Sequence, residues 1–176
     1  MKTITDQLAN YASYHRDRRN IVTHFIGIPM IVVAIAILLA RPSFEIAGIT
    51  MAPIWLLAIA SVAYYLVLDL RFGVVMGVLM ALAVWAGMTV AAMSTGAWLG
   101  WGIGLFVIGW IAQFIGHFYE GRKPAFVDDL VGLLIGPLFV VAEAAFGVGL
   151  CKSLQREIDR RVGPVHGGHK GSPVSH

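Results

Sequence analysis

Five long apolar runs constrain the fold of this chain more tightly than any other feature of it. They span roughly Ile21–Ala40, Met51–Leu70, Phe72–Met93, Ala97–Phe118 and Leu130–Leu150. Each is about 20 residues, the length a helix needs to cross ~30 Å of hydrocarbon. Helices follow rather than strands, because lipid offers no hydrogen-bond partner to an open sheet edge. Composition agrees: 58% of the 176 residues are hydrophobic and 13% are charged, against about half and a quarter in soluble domains. So much apolar surface also excludes a disordered chain. The lone cysteine, Cys151, rules out an internal disulfide framework and cannot build a thiolate zinc site by itself. A formal charge of +3 is small, and no nucleic-acid partner is expected. No cleavable signal peptide is expected, since no small-residue cleavage site follows the first apolar run.

Basic residues orient the spans. With the N-terminus in the cytoplasm, Arg71 and the Arg122–Lys123 pair fall inside and Arg41 outside. A complete fifth crossing would divide the basic residues seven inside and six outside, whereas returning the C-terminus to the cytoplasm divides them twelve and one. The fifth run also holds Glu143 and a Gly136–Pro137 step, both costly in a plain lipid-facing helix. The expected fold is therefore all-α: a polytopic membrane bundle of four transmembrane helices plus a fifth re-entrant or broken segment. Residues 1–162 form one membrane domain, with a short amphipathic helix over Lys152–Arg161, and residues 163–176 a flexible tail. The compactness of the chain suggests a bacterial inner membrane, and self-association is left open. The spacings Gly73-x3-Gly77, Gly100-x3-Gly104 and Gly132-x3-Gly136 are candidates for close helix packing.

Topology alone brings three histidines to one depth. His15 precedes the first span, His24 lies near its start, and His117 ends the fourth. With four alternating crossings, the start of the first and the end of the fourth share the cytoplasmic side. Gln113, His117 and Glu120 fall on one helix face, as do Asn20 and His24. His15 and His24 are nine apart and would oppose each other on one straight helix, so they can share an ion only if the chain bends between them. Pro29 distorts the helix beside His24, but a break nearer Asn20 is also required. Glu120, Asp128, Glu143 and Asn20 bracket the same membrane face.

The plain readings carry weight. A single interfacial histidine is most often a surface residue or a hydrogen-bonded helix end. Arg16, Arg18 and Arg19 serve most simply as anchors to anionic headgroups. Convergence favours a site. Imidazole with carboxylate and no thiolate suits iron or zinc, and open positions on such iron suit oxygen chemistry. A lipid substrate would enter sideways, its acid group met by Arg16, Arg19, Arg122 or Lys123. A nucleotide loop, a haem-attachment cysteine pair and a serine elbow are all missing.

The blocks Tyr14-His15, Asn20, His24, Gly27 and Pro29, then Gln113, Gly116-His117, Glu120, Pro124-Ala125, Asp128, Gly136-Pro137 and Glu143, resemble the yeast-type 2-hydroxy fatty acid dioxygenases. These are small membrane proteins of fungi and bacteria. The resemblance implies an Fe2+-dependent enzyme that uses O2 to convert a 2-hydroxy fatty acid to a fatty acid one carbon shorter. It implies His15, His24 and His117 as iron ligands, with Glu120, Asn20, Asp128, Glu143 and Gln113 as a further ligand or supports of the imidazoles. His166, His169 and His176 stay outside that site. Two other readings stand beside it. A di-iron lipid hydroxylase or desaturase needs more histidines than the three near the membrane. A non-catalytic lipid- or metal-binding module is the second; transport would need polar residues at mid-membrane, which the second and third runs lack apart from Ser61 and Thr89.

Overall fold

A computed structural model describes residues 2–124 and 131–167. In chain order the elements are α1 (Ile4–Ala12), α2 (Arg18–Ala40), a hairpin of β1 (Phe44–Ile46) and β2 (Ile49–Met51), α3 (Pro53–Leu68), α4 (Leu70–Ala91), α5 (Thr95–Glu120), α6 (Gly132–Gly147) and α7 (Lys152–Val162). The protein is helical, as expected, with the small antiparallel hairpin as an addition. Helices α2, α4 and α5 are long and apolar enough to cross a membrane; α6 and α7 would make a fourth span only as a pair, bent by 114°. Helix α3 has 16 residues, about 24 Å at 1.5 Å per residue, short of ~30 Å of hydrocarbon. Large side chains such as Val67, Trp85, Trp101 and Phe118 are exposed around the bundle, a surface suited to lipid rather than water.

The breaks fall where particular residues make them. Asp69 ends α3 and caps α4, accepting from the backbone N–H groups of Arg71 and Phe72 at 2.9 and 3.0 Å. The fifth apolar run is interrupted, but not at Gly136–Pro137. Helix α6 runs through Pro137 to Gly147, and the chain turns after it, where Gly149 and Cys151 take positive φ. Pro29 likewise lies inside a continuous α2. The bend between His15 and His24 is a true helix break: α1 ends at Ala12 and Asp17 caps α2.

Residues 1–20, polar in sequence and ahead of the first apolar run, contain a helix of the core. A capping box of Thr3 and Asp6 starts α1. Its Leu8, Tyr11 and Ala12 pack with Ile135, Leu138 and Phe139 of α6 and Ile158 of α7. The amphipathic α7 expected from sequence is present, its Leu154, Ile158 and Val162 turned inward.

Helix α2 is central and packs most extensively on α5. The glycines that allow this are not those of the expected pairs. Gly100 and Gly104 face open space, and a Cβ on Gly77 would make an ordinary 3.6 Å contact. Gly102, Gly109 and Gly116, spaced one heptad apart, meet α2 instead. A Cβ on Gly109 would lie 2.7 Å from Ile31 and 2.9 Å from the Gly27 carbonyl oxygen, and one on Gly116 would collide with Asn20 and Thr23. We expect Gly109→Ala to destabilise the bundle by about 1–3 kcal/mol through overpacking. Gly104→Ala should be neutral or stabilising by up to ~1 kcal/mol, from helix propensity. Unfolding of both variants in one detergent checks the contrast.

Candidate metal centre

His15 sits in the turn between α1 and α2, His24 on the second turn of α2, and His117 on the last turn of α5. All three are buried. One ring nitrogen from each lies within 4.8 Å of the others, an arrangement that can hold a metal ion. The rings meet edge to face, with centroids 4.4 to 5.1 Å apart.

The hydrogen bonds around the rings set their tautomers. His15 Nδ1 lies 2.7 Å from the Tyr11 carbonyl oxygen, and His24 Nδ1 lies 2.9 Å from that of Asn20. A carbonyl can only accept, so each Nδ1 carries the proton. In the neutral rings both Nε2 atoms therefore present lone pairs, yet they face each other at 2.9 Å. Two lone pairs at that distance repel unless a cation lies between or beside them. His117 adds Nδ1, buried with no hydrogen-bond partner. Burial, with His24 and His117 close by, pushes the His15 imidazole well below its ordinary value, so the ring stays neutral and able to ligate. Three neutral imidazoles, two held by carbonyls that raise their basicity, fit a divalent transition metal.

Glu120 does not face the cluster as a ligand. Its carboxylate accepts from Arg16 N at 2.9 and 3.1 Å, Asp17 N at 2.9 Å and Asn20 Nδ2 at 2.9 Å. It thus pins the bend that carries His15 to the end of α5. Asn20 links the two: its side chain binds Glu120 while its carbonyl receives His24.

The basic residues expected to meet an acid group are engaged elsewhere. Arg16 is buried; its Nε donates to the Ala12 and His15 carbonyls, and its Nη1 to Asp159 at 3.1 Å and the Gly163 carbonyl at 2.9 Å. Glu143 faces the same guanidinium at 3.7 Å, and so anchors α6 to the bend rather than joining the imidazoles. Arg19 pairs with Asp17 at 2.8 Å and lies over the Tyr119 ring. Arg122 donates to the Ser13 carbonyl at 2.8 Å. Lys123 is exposed. Asp128, His169 and His176 lie outside the described residues. His166 touches the bend through its backbone, donating to the Arg16 carbonyl and accepting from Arg18 N.

A cavity of about 330 Å3 opens beside the cluster between α2, α5 and α6, with His24, His117, Tyr11 and Gln113 on its wall. From the imidazoles it follows Ile28, Ile31 and Ile35 of α2 and Trp110 and Phe106 of α5. From His24 to Ile35 is eleven steps along α2, about 16 Å at 1.5 Å per residue. Tyr11 was not legible as a site residue. Its ring stacks on His15 at 4.2 Å with planes 4° apart; the signal was its position four residues before a candidate ligand.

A family model described as 2-hydroxy-palmitic acid dioxygenase Mpo1-like matches residues 1–148. The chain belongs to the Mpo1-like family. The 2-hydroxy-palmitic acid dioxygenase MPO1 of Saccharomyces cerevisiae is 31% identical over 161 residues, covering 89% of this chain and 87% of the yeast protein. No solved structure matches. All three imidazoles and Glu120 fall inside the part that the Mpo1-like model covers, while α7 and Gly163, which hold Arg16, lie beyond it.

Proposed function

We propose that this protein is an iron-dependent dioxygenase that shortens 2-hydroxy fatty acids by one carbon at the membrane interface, with O2 as cosubstrate. The observation that carries the reading is the pair of opposed Nε2 atoms at 2.9 Å, both Nδ1 protons committed to carbonyls, at the head of an apolar cavity. Family membership supports the substrate class. His15, His24 and His117 hold the metal. Ferrous iron bound there would supply the redox chemistry for the cleavage between the first two carbons, in which one O2 takes up four electrons and the 2-hydroxy acid yields the shorter acid, CO2 and water. The chain's own contribution is placement. The Tyr11 and Asn20 carbonyls orient two imidazoles, Glu120 holds the bend, and the aliphatic cavity takes the acyl chain and keeps water from the reacting end.

Four crossings by α2, α3, α4 and α5, the short α3 spanning a locally thinned bilayer, with α6 and α7 returning to the same side, would keep the N-terminus and the site cytoplasmic, in a bacterial inner membrane. The surrounding lipid then delivers the substrate sideways. The donor set favours one metal over two, because Glu120 and Glu143 are both occupied by other partners.

Protein purified in detergent without oxygen is expected to contain about one iron per three-imidazole site. On admitting O2 it should convert 2-hydroxypalmitate to the acid one carbon shorter, with oxygen uptake matching the acid consumed. Two irons per chain would redirect the reading to hydroxylase chemistry. No metal after anaerobic reconstitution would end it.

A further inference from the structure

The wall of the cavity is almost wholly aliphatic and aromatic, and none of its described residues is a lysine or arginine. A carboxylate bound inside therefore has no cationic side chain to meet. Beyond the two imidazoles, the polar groups on this wall belong to Tyr11, Gln113 and Trp110. Gln113 is 5% exposed, one helical turn before His117, and its Nε2 is buried with no hydrogen-bond partner. An unpaired buried donor is costly, and in a folded protein it calls for an explanation. The space for it is made on purpose: a Cβ on Gly27 would collide with this Nε2. Tyr11 is buried too, with its ring held parallel to His15 and its hydroxyl toward Gly136 of α6. Its phenolic O–H can donate a hydrogen bond.

We infer that the Gln113 amide and the Tyr11 hydroxyl bind the carboxylate end of the substrate inside the cavity, in place of the arginines that such an acid would ordinarily meet. This rests on the 2-hydroxy fatty acid reading above. Three neutral imidazoles leave a divalent metal with its full +2 charge, enough to balance a monoanionic acid without a further cation. Neutral donors then orient the head, and the aliphatic wall takes the tail. A buried arginine here would have no fixed counter-charge whenever the cavity is empty.

The test uses Gln113→Leu, which keeps the volume and removes the donor, and Tyr11→Phe, which removes only the hydroxyl. Full-length protein is loaded with zinc, so that binding is read without turnover. Both variants should retain the parent's metal content. Each should bind 2-hydroxypalmitate about 10- to 100-fold more weakly, the worth of one charge-assisted hydrogen bond. Methyl 2-hydroxypalmitate keeps a carbonyl acceptor but carries no charge, so its affinity should fall in the variants by much less than that of the acid. Ligand-free Gln113→Leu should melt at a higher temperature than the parent, because the unpaired donor is gone; a residue kept only for structure would not behave so. Unchanged affinity for the acid, or equal losses for acid and ester, would overturn the assignment. Lost metal in Gln113→Leu would overturn it too, by making Gln113 a ligand. If the parent binds neither compound, the substrate reading itself fails; if the parent binds and shortens the acid while the variants match it, only this inference does.

Discussion

His24→Ala is expected to abolish both metal retention and turnover while leaving the metal-free bundle as stable as the parent or more so. The reason is the unfavourable pairing that the site maintains without a cation. Two Nε2 lone pairs face each other at 2.9 Å, and each ring is prevented from turning its proton inward by a carbonyl at its Nδ1. Removing either imidazole relieves that repulsion and removes a ligand together. The clearest readout is thermal. Saturating metal should raise the parent's melting temperature, since a ligand at ~100 times its Kd adds about 2.7 kcal/mol to the folded state. His24→Ala should show no such rise. A variant that still gained stability from metal would remove His24 from the ligand set.

Glu120→Ala should act in the opposite sense, weakening the protein before any metal is added. Four hydrogen bonds converge on this carboxylate from Arg16 N, Asp17 N and Asn20 Nδ2. Losing them leaves two loop N–H groups and an amide without their acceptor, a cost of about 2–4 kcal/mol. With the bend loosened, metal affinity should fall by about 10- to 100-fold, as for other residues that support a ligand indirectly. Glu120→Gln, which keeps one acceptor oxygen, should fall between parent and Ala. Were Glu120 itself a ligand, the Ala variant would lose metal without losing stability in the metal-free state. Denaturant unfolding with and without a chelator separates the two.

This case also marks what was legible beforehand. The convergence of His15, His24 and His117 was expected from four alternating crossings and the placement of basic residues, as was a break nearer Asn20, although only three helices are long enough to cross by themselves. The role of Glu120 could not. A carboxylate one turn from a histidine, on the same helix face, suits a metal or a loop equally well, and only the position of the Arg16 and Asp17 N–H groups decides. Gln113 was legible as a neighbour of His117, but not as a donor left without a partner. Of the expected glycine pairs, Gly73 packs on Leu66 and Gly136 on Tyr11 and Ile28, but Gly100 and Gly104 were misassigned for a related reason. A four-residue spacing at Gly100 and Gly104 looks like a packing face, yet the heptad Gly102, Gly109 and Gly116 is the one turned toward α2. Which stripe of a uniformly apolar helix faces protein rather than lipid depends on its neighbours. Helix α1 was hidden by its brevity, although Thr3, Asp6, Leu8 and Tyr11 carried its cap and its apolar stripe.

The three imidazoles meet at one end of the bundle but come from distant parts of the sequence, which would make the proposed centre a checkpoint on biosynthesis. His15 and His24 leave the ribosome early, but His117 and the Glu120 clasp follow His24 by roughly 90 residues; at about 5–20 residues per second this is a delay of roughly 5–20 s. Throughout that interval the first two imidazoles have neither their third companion nor the carboxylate that bends the chain between them. With the four crossings proposed above, a chain whose α5 fails to insert, or inserts in the wrong direction, would leave His117 on the far side of the bilayer. Metal capture at the proposed site would thereby be confined to molecules in which every intervening helix has been threaded correctly.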